Sequence, residues 1–241
     1  DKYNLCSLKY AIENIHFPKN FECLKVARKR LVFDEFFDFI FKMKKLKEKE
    51  IQVKNQYIVN NHKCSDEIIN NLPYKLTNAQ KTVINQIRVD VESEFVMQRL
   101  IQGDVGSGKT IVAFLTMLDF AVSGLQTVIM APTEVLAEQH FSTMMDLIYN
   151  NNLSIKVTLL TGSLTKKQKD DAYKKIVEGE TKIIIGTHAV FQEKVIYNNL
   201  AMVIIDEQHR FGVMQRLNLM NKGIKPHVLV MSATPIPRTL A

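Results

Sequence analysis

Residues 103–110 read Gly103-Asp104-Val105-Gly106-Ser107-Gly108-Lys109-Thr110, an instance of G-x-x-x-x-G-K-[ST]. The glycines let the backbone curl until its N–H groups converge on an anion. The lysine then reaches the β- and γ-phosphates, and the threonine hydroxyl becomes a ligand for Mg²⁺. This pattern constrains the fold because it works only between a strand and a helix. The apolar run Phe95–Ile101 precedes it and reads as a buried strand, and Ile111–Leu118 follows as a helix with its N-terminus toward the phosphate. The expectation is a strand–loop–helix unit that takes a nucleoside triphosphate, with Gly103, Asp104, Gly106, Ser107, Gly108, Lys109 and Thr110 around the phosphates.

From Thr77 onward, helices and short apolar strands alternate. Asn78–Val91 reads as a helix. Thr127–Ala131 is a strand stopped by Pro132, and Thr133 caps a helix running to about Tyr149. Ile155–Leu160 is a strand, and Thr165 opens a helix that Gly179 ends. Lys182–Ile185, Ala201–Ile205 and His227–Met231 are further buried strands. Such alternation implies an α/β layer sandwich, a mostly parallel sheet covered on both faces. Before it, Ser7 caps a short helix through Asn14, and Leu24, Ala27, Leu31, Phe36, Ile40 and Met43 recur at helical spacing between Phe21 and Lys49. That stripe reads as a packing face. The polar stretch Lys54–Asp66 reads as a linker or exposed loop.

The 241 residues carry 32 Lys and Arg against 25 Asp and Glu, unevenly placed. Residues 1–75 hold 15 basic and 10 acidic side chains; the remainder hold 17 and 15. The basic N-terminal segment suits either contact with a polyanion or a solvated helix face. Cys6, Cys23 and Cys64 are too few and too scattered for a zinc site or a disulfide framework, which suggests reduced thiols in the cytoplasm. No uninterrupted apolar stretch is long enough to span a bilayer. Asp1 in place of Met and a last residue close behind a dense motif suggest a piece of a longer chain.

In open parallel sheets, ligands gather at the carboxyl ends of the strands. Val203-Ile204-Ile205 runs into Asp206-Glu207-Gln208-His209. There Asp206 suits the Mg²⁺ ion and Glu207 suits polarising the attacking water. Paired with the phosphate loop, these two carboxylates point to in-line hydrolysis of ATP or GTP. Pro132-Thr133, Thr161-Gly162-Ser163 and Gly186-Thr187-His188 also follow strands. They read either as turn and capping residues or as donors that track a nucleic-acid backbone. Ser232-Ala233-Thr234, after the last strand, would join the two sites.

Taken in order, Leu76–Gln80, the phosphate loop, Ala131–Gln139, Thr161–Ser163, Gly186–Ala189, Asp206–His209 and Ser232–Thr234 resemble the first motor lobe of superfamily 2 helicases. The longer segments Asp206–Arg216 and Met231–Leu240 resemble the RecG family of bacterial DNA translocases, and His16–Pro18 with Ala27–Phe37 resembles that family's segment between wedge domain and motor. The transcription-repair coupling translocases share Ala233–Leu240 but usually have Glu at the position of Gln208, and the replication-restart helicases diverge further.

The resemblance implies a RecA-like P-loop NTPase fold over residues 66–241, with residues 1–65 the helical end of the wedge region. It implies that Gln80 reads adenine, making ATP the nucleotide, and that Tyr74 stacks on the base. His209, Ser232, Thr234 and Arg238 would couple nucleotide state to DNA grip. Pro132, Thr133, Thr161, Gly162, Ser163, Gly186, Thr187 and His188 would touch the backbone of one strand. Arg210 and Arg216 fit the pattern without an implied contact. The implied partners are branched or forked DNA, a second motor lobe and a wedge domain, with ATP and Mg²⁺ as cofactors and no membrane. Without a facing lobe, this segment alone is expected to hydrolyse little ATP. An RNA helicase of the same superfamily and a nucleotide-binding switch without motor activity are the alternatives.

Overall fold

The computed structural model describes residues 3–49, 53–206 and 225–233, with side chains throughout except at 43–49. The chain divides into two compact units, Asp1–Gln52 and Val53–Ala241. The first is a helix pair. Helix α1 (Leu8–His16) begins at Ser7, whose hydroxyl accepts the Tyr10 N–H at 3.2 Å and satisfies a first-turn donor. Helix α2 (Phe21–Lys49) packs against it, with Ala11 and Ala27 fully buried. Of the expected stripe on α2, the described members pack as far as Leu31, and Met43 lies outside the described side chains. Leu24 and Leu31 are half-buried, whereas Phe36 and Ile40 are 63% and 60% exposed. From the middle of the helix onward Phe33, Phe37 and Phe41 stack along one face, ring centroids 6.1 and 6.2 Å apart, because residues four apart share a face.

The second unit runs α3 (Lys63–Asn71), α4 (Asn78–Glu92), β1 (Gln98–Gln102), α5 (Lys109–Val122), β2 (Gln126–Met130), α6 (Glu134–Asn150), β3 (Val157–Leu160), α7 (Lys166–Val177), β4 (Ile183–Gly186), β5 (Leu200–Asp206) and β6 (His227–Ser232). The six strands form one sheet, in the order β1-β6-β5-β2-β4-β3, with every pairing parallel. Alternate side chains on each strand feed opposite faces. Ile129, Ile185, Met202, Ile204 and Leu229 join the α3–α6 residues in one core. Val128, Met130, Ile184, Val203 and Ile205 join α7 and the 3₁₀ turn His188–Phe191 in the other. Burial on both faces is why β4, the Val128–Met130 part of β2 and β5 as far as Ile205 read as unbroken apolar runs.

The stretch expected as an exposed linker is part of this unit's structure. Lys54 bridges Phe95, the Asn55 amide donates to the Val91 and Ser93 carbonyls at 2.9 Å, and Tyr57 and Val59 are buried. His227, wholly buried, donates from Nε2 to the Tyr57 carbonyl at 3.2 Å and accepts the Met97 N–H on Nδ1 at 2.9 Å. Helix α3 then packs on α5, with Ser65 donating from backbone and hydroxyl to the buried Asp119 carboxylate at 3.0 and 2.7 Å. At the amino edge of the sheet, the buried Gln126 side chain donates to Ile176 and Thr181 carbonyls (2.8 and 2.9 Å). It also accepts the Asn198 and Asn199 N–H groups (2.8 and 3.0 Å), so one amide fastens α7, β2 and the approach to β5.

Candidate active site

The phosphate loop leaves β1 at the carboxyl edge of the sheet, where the Gly103 N–H donates to the Ser232 carbonyl of β6 at 3.2 Å. Gly106 and Gly108 hold φ of +79° and +78°, the left-handed region that side chains resist, and Gly108 caps α5. The loop closes on its own lysine. Lys109 Nζ donates to the carbonyls of Gly103 at 2.7 Å and Asp104 at 2.8 Å. A third, longer contact goes to the Ser107 hydroxyl at 3.5 Å; with neutral partners among the described residues, an ammonium at a helix N-terminus has its charge to offer an anion.

Gln80 reaches the loop from α4. Its Oε1 accepts the Thr77 N–H at 2.8 Å while the Thr77 hydroxyl accepts the Gln80 N–H at 3.2 Å, a reciprocal cap. Its Nε2 donates to the Ser107 carbonyl at 2.9 Å, tying the start of α4 to the loop. Beside this contact lies an open groove of about 470 Å³, lined by Tyr74, Thr77, Gln80, Gly108 and Thr110 among others. Tyr74 is 52% exposed there, so its ring face is open to a stacking partner.

Asp206 ends β5 at the same edge. Gln102 of β1 pairs with Ser232 and Asp206 pairs with Met231, so β6 alone separates the loop from this carboxylate. At the usual spacing between strands that puts the two strand ends roughly 10 Å apart. Asp206 is largely buried, and its Oδ2 accepts a hydrogen bond from His140 Nε2 at 2.9 Å. Glu207, His209, Arg210, Arg216, Thr234 and Arg238 lie outside the described residues. Ser232 is buried between the loop and β5.

The remaining strand ends, β2, β4 and β3, stand side by side on the other half of that edge. They separate into two kinds. Thr133, Gly162, Ser163 and His188 are exposed and Pro132 half-exposed, but Thr161, Gly186 and Thr187 are buried and face the protein interior. The Thr161 hydroxyl bonds that of Ser163 at 3.1 Å, and the Thr187 N–H donates to the Leu160 carbonyl at 3.3 Å. Thr133 caps α6 through the Leu136 N–H at 3.3 Å.

Two residues absent from the expected set take part. Glu134 accepts the Ser163 N–H at 3.0 Å. The Ser163 hydroxyl, then the Ser163 and Gly162 N–H groups and Lys169, hold its carboxyl below the usual range. His140 is the other. It sits on the buried face of α6 with Ala137, Met144 and Ile148, and a histidine in an otherwise apolar stripe is the sequence signal that could have found it.

The DEAD/DEAH box helicase pattern matches residues 77–241. The chain belongs to the DEAD/DEAH box helicase family. Over its whole length this family member is similar to the ATP-dependent DNA helicase RecG of Aquifex aeolicus, at 46% identity, and of Streptococcus pneumoniae, also at 46%. It spans 31% and 36% of those relatives, about a third of their length. Among solved structures, RecG bound to a three-way DNA junction matches the entire chain and 32% of its own, at 44% identity and TM-score 0.77. A DEAD box protein from Methanococcus jannaschii shares the fold at 20% identity, TM-score 0.60, over 79% of this chain and 52% of its own. These neighbours and the parallel six-stranded sheet make the second unit a RecA-like helicase lobe.

Proposed function

We propose that the chain is the ATP-binding first motor lobe of a RecG-like DNA translocase acting on branched DNA, in repair and recombination at stalled forks. The observation that carries this is the arrangement along one sheet edge. Phosphate loop and Asp206 occupy the β1–β6–β5 half, and the exposed strand-end donors occupy the adjoining β2–β4–β3 half. The unit Val53–Ala241 then acts as the lobe and residues 1–52 as the end of a wedge region, in a cytoplasmic protein whose second lobe faces this edge.

In this reading Tyr74 stacks on adenine and Gln80 contacts its edge while bracing the loop. The amides of Gly103–Thr110 hold phosphate oxygens, and Lys109 exchanges its carbonyl partners for the β- and γ-phosphates. Thr110 lines the groove and Asp206 ends β5 at the same edge, so a hydroxyl and a carboxylate are offered to Mg²⁺, which favours such hard donors. Bound there, Mg²⁺ would neutralise charge developing on the phosphates. Glu207 orients the attacking water. His209, Ser232, Thr234 and Arg238 relay nucleotide state to the DNA side. Pro132, Thr133, Gly162, Ser163 and His188 touch one strand's phosphates, so DNA affinity falls steeply with salt and little with sequence.

The test is ATP turnover by the full-length protein with forked DNA, linear DNA and RNA. Forked DNA stimulates most; Lys109→Ala abolishes turnover with the fold intact; Glu207→Gln retains nucleotide binding and stops hydrolysis. Equal stimulation by RNA, or full turnover in either variant, contradicts the proposal.

A further inference from the structure

The strand-end row and the nucleotide site are joined by more than sheet neighbourhood. Helix α6 starts at the row, with Thr133 as its cap, and carries His140 seven residues later, about 10 Å along the axis. The helix buries Ala137, His140, Met144 and Ile148. Three of those positions are apolar, and a polar ring among them is stable only if its N–H is satisfied. Asp206 supplies the acceptor, 2.9 Å from Nε2. Phe114 of α5 meets the imidazole edge-on, centroids 5.7 Å apart, which fixes the ring plane from the helix that follows the phosphate loop. The ring therefore touches α5 and β5 at once, and the carboxylate it holds is one of the two groups read above as Mg²⁺ ligands.

We propose that His140 is a positioning residue: it orients the Asp206 carboxylate for Mg²⁺–nucleotide and fastens it to the helix whose cap lies on the DNA-facing row. This rests on the reading of the site given above. A hydrogen bond to one carboxylate oxygen leaves the other directed at the metal, and such partners are costly to remove because the ligand then samples several rotamers. Because α6 is a continuous helix between Thr133 and His140, a shift of its first turn on DNA binding moves the imidazole and Asp206 with it.

The test uses the full-length protein with His140→Leu, which removes the donor, and His140→Gln, which returns an N–H near the position of Nε2. Two quantities are read: the Mg²⁺ concentration for half-maximal equilibrium binding of a fluorescent ATP analogue, and the factor by which forked DNA stimulates turnover. His140→Leu raises the Mg²⁺ half-point about 10-fold or more and lowers the stimulation factor, and His140→Gln restores both to within about threefold of wild type. If the leucine variant does not fold, His140→Asn carries the same reading. A folded variant with a lowered melting temperature but unchanged Mg²⁺ half-point and stimulation makes His140 a packing residue and overturns the proposal. Absence of Mg²⁺-dependent nucleotide binding in the wild type, with Lys109→Ala indistinguishable from it, overturns the reading of the site itself.

Discussion

Alanine at Gly108 should cost more than alanine at Gly106, although both glycines hold nearly the same φ, +78° and +79°. Forcing a side chain into the left-handed region costs about 1–2 kcal/mol at either position. At Gly106 nothing lies within 4 Å of the added Cβ, so strain is the whole effect. At Gly108 the Cβ would stand 2.2 Å from Gln80 Nε2, and the amide must swing away. It then loses the bond to the Ser107 carbonyl and its half of the Thr77 cap, about 1 kcal/mol each. Gly106→Ala should therefore destabilise by about 1–2 kcal/mol and Gly108→Ala by about 3–4. In a Gln80→Ala background the second figure should drop back toward the first, a coupling of about 2 kcal/mol. Urea unfolding of the four variants measures this. Equal costs for the two glycines, or a Gly108→Ala cost untouched by removing Gln80, would refute the claim that Gln80 braces the loop.

Three further outcomes follow from buried groups away from the site. Gln126→Leu leaves the Thr181 carbonyl and the Asn198 and Asn199 N–H groups without their partner, so melting should show a loss of about 3–5 kcal/mol; a loss under about 1 kcal/mol rejects that bookkeeping. Burial, then the nearby Asp119 and Glu67 charges, push the Cys64 thiol up to about 11, so native protein at neutral pH should be alkylated at Cys6 and Cys23 long before Cys64; comparable rates by peptide mapping count against it. Burial holds His227 below its ordinary 6.5, so the unfolded chain takes a proton that the folded one refuses. Stability should be constant from this source above pH 6.5 and fall by up to about 1.4 kcal/mol per unit below it. His227→Gln should remove that part of the slope; an unchanged slope contradicts it.

The parts of this molecule that were legible in the sequence are those whose signal is local. The phosphate loop needs eight consecutive residues, and the caps at Ser7, Thr133 and Thr165 lie within three residues of the N–H groups they satisfy. The strands β2, β4 and β5 announce themselves because both faces are covered; β1, expected as buried, is an edge strand in which only Ile101 is buried. The illegible parts depend on strand order. Thr161 and Thr187 look like exposed hydroxyls until β3 and β4 are seen to be neighbours, with the turn after β4 folded onto the Leu160 carbonyl. The His140–Asp206 pair joins residues 66 apart, from a helix and a strand whose juxtaposition no spacing encodes. Residues 54–71 were hidden for the opposite reason. Their buried side chains, Tyr57, Val59, Cys64 and Ile68, are too sparse among polar residues to mark a period, and α3 (9 residues) is too short for its Cys64–Ile68 pair to announce a helix face before its Ser65 bonds to Asp119 are seen.

The most direct test of the central claim is amide hydrogen exchange of the protein with and without a non-hydrolysable ATP analogue and Mg²⁺. Slowed exchange should appear at Gly103–Thr110 and the first turn of α5, and at Thr77–Gln80 where α4 meets the loop. Lys109→Ala should abolish both changes. Unchanged exchange in these segments at saturating nucleotide, or protection confined to another part of the chain, would show that the carboxyl edge of β1, β6 and β5 is not where the nucleotide binds.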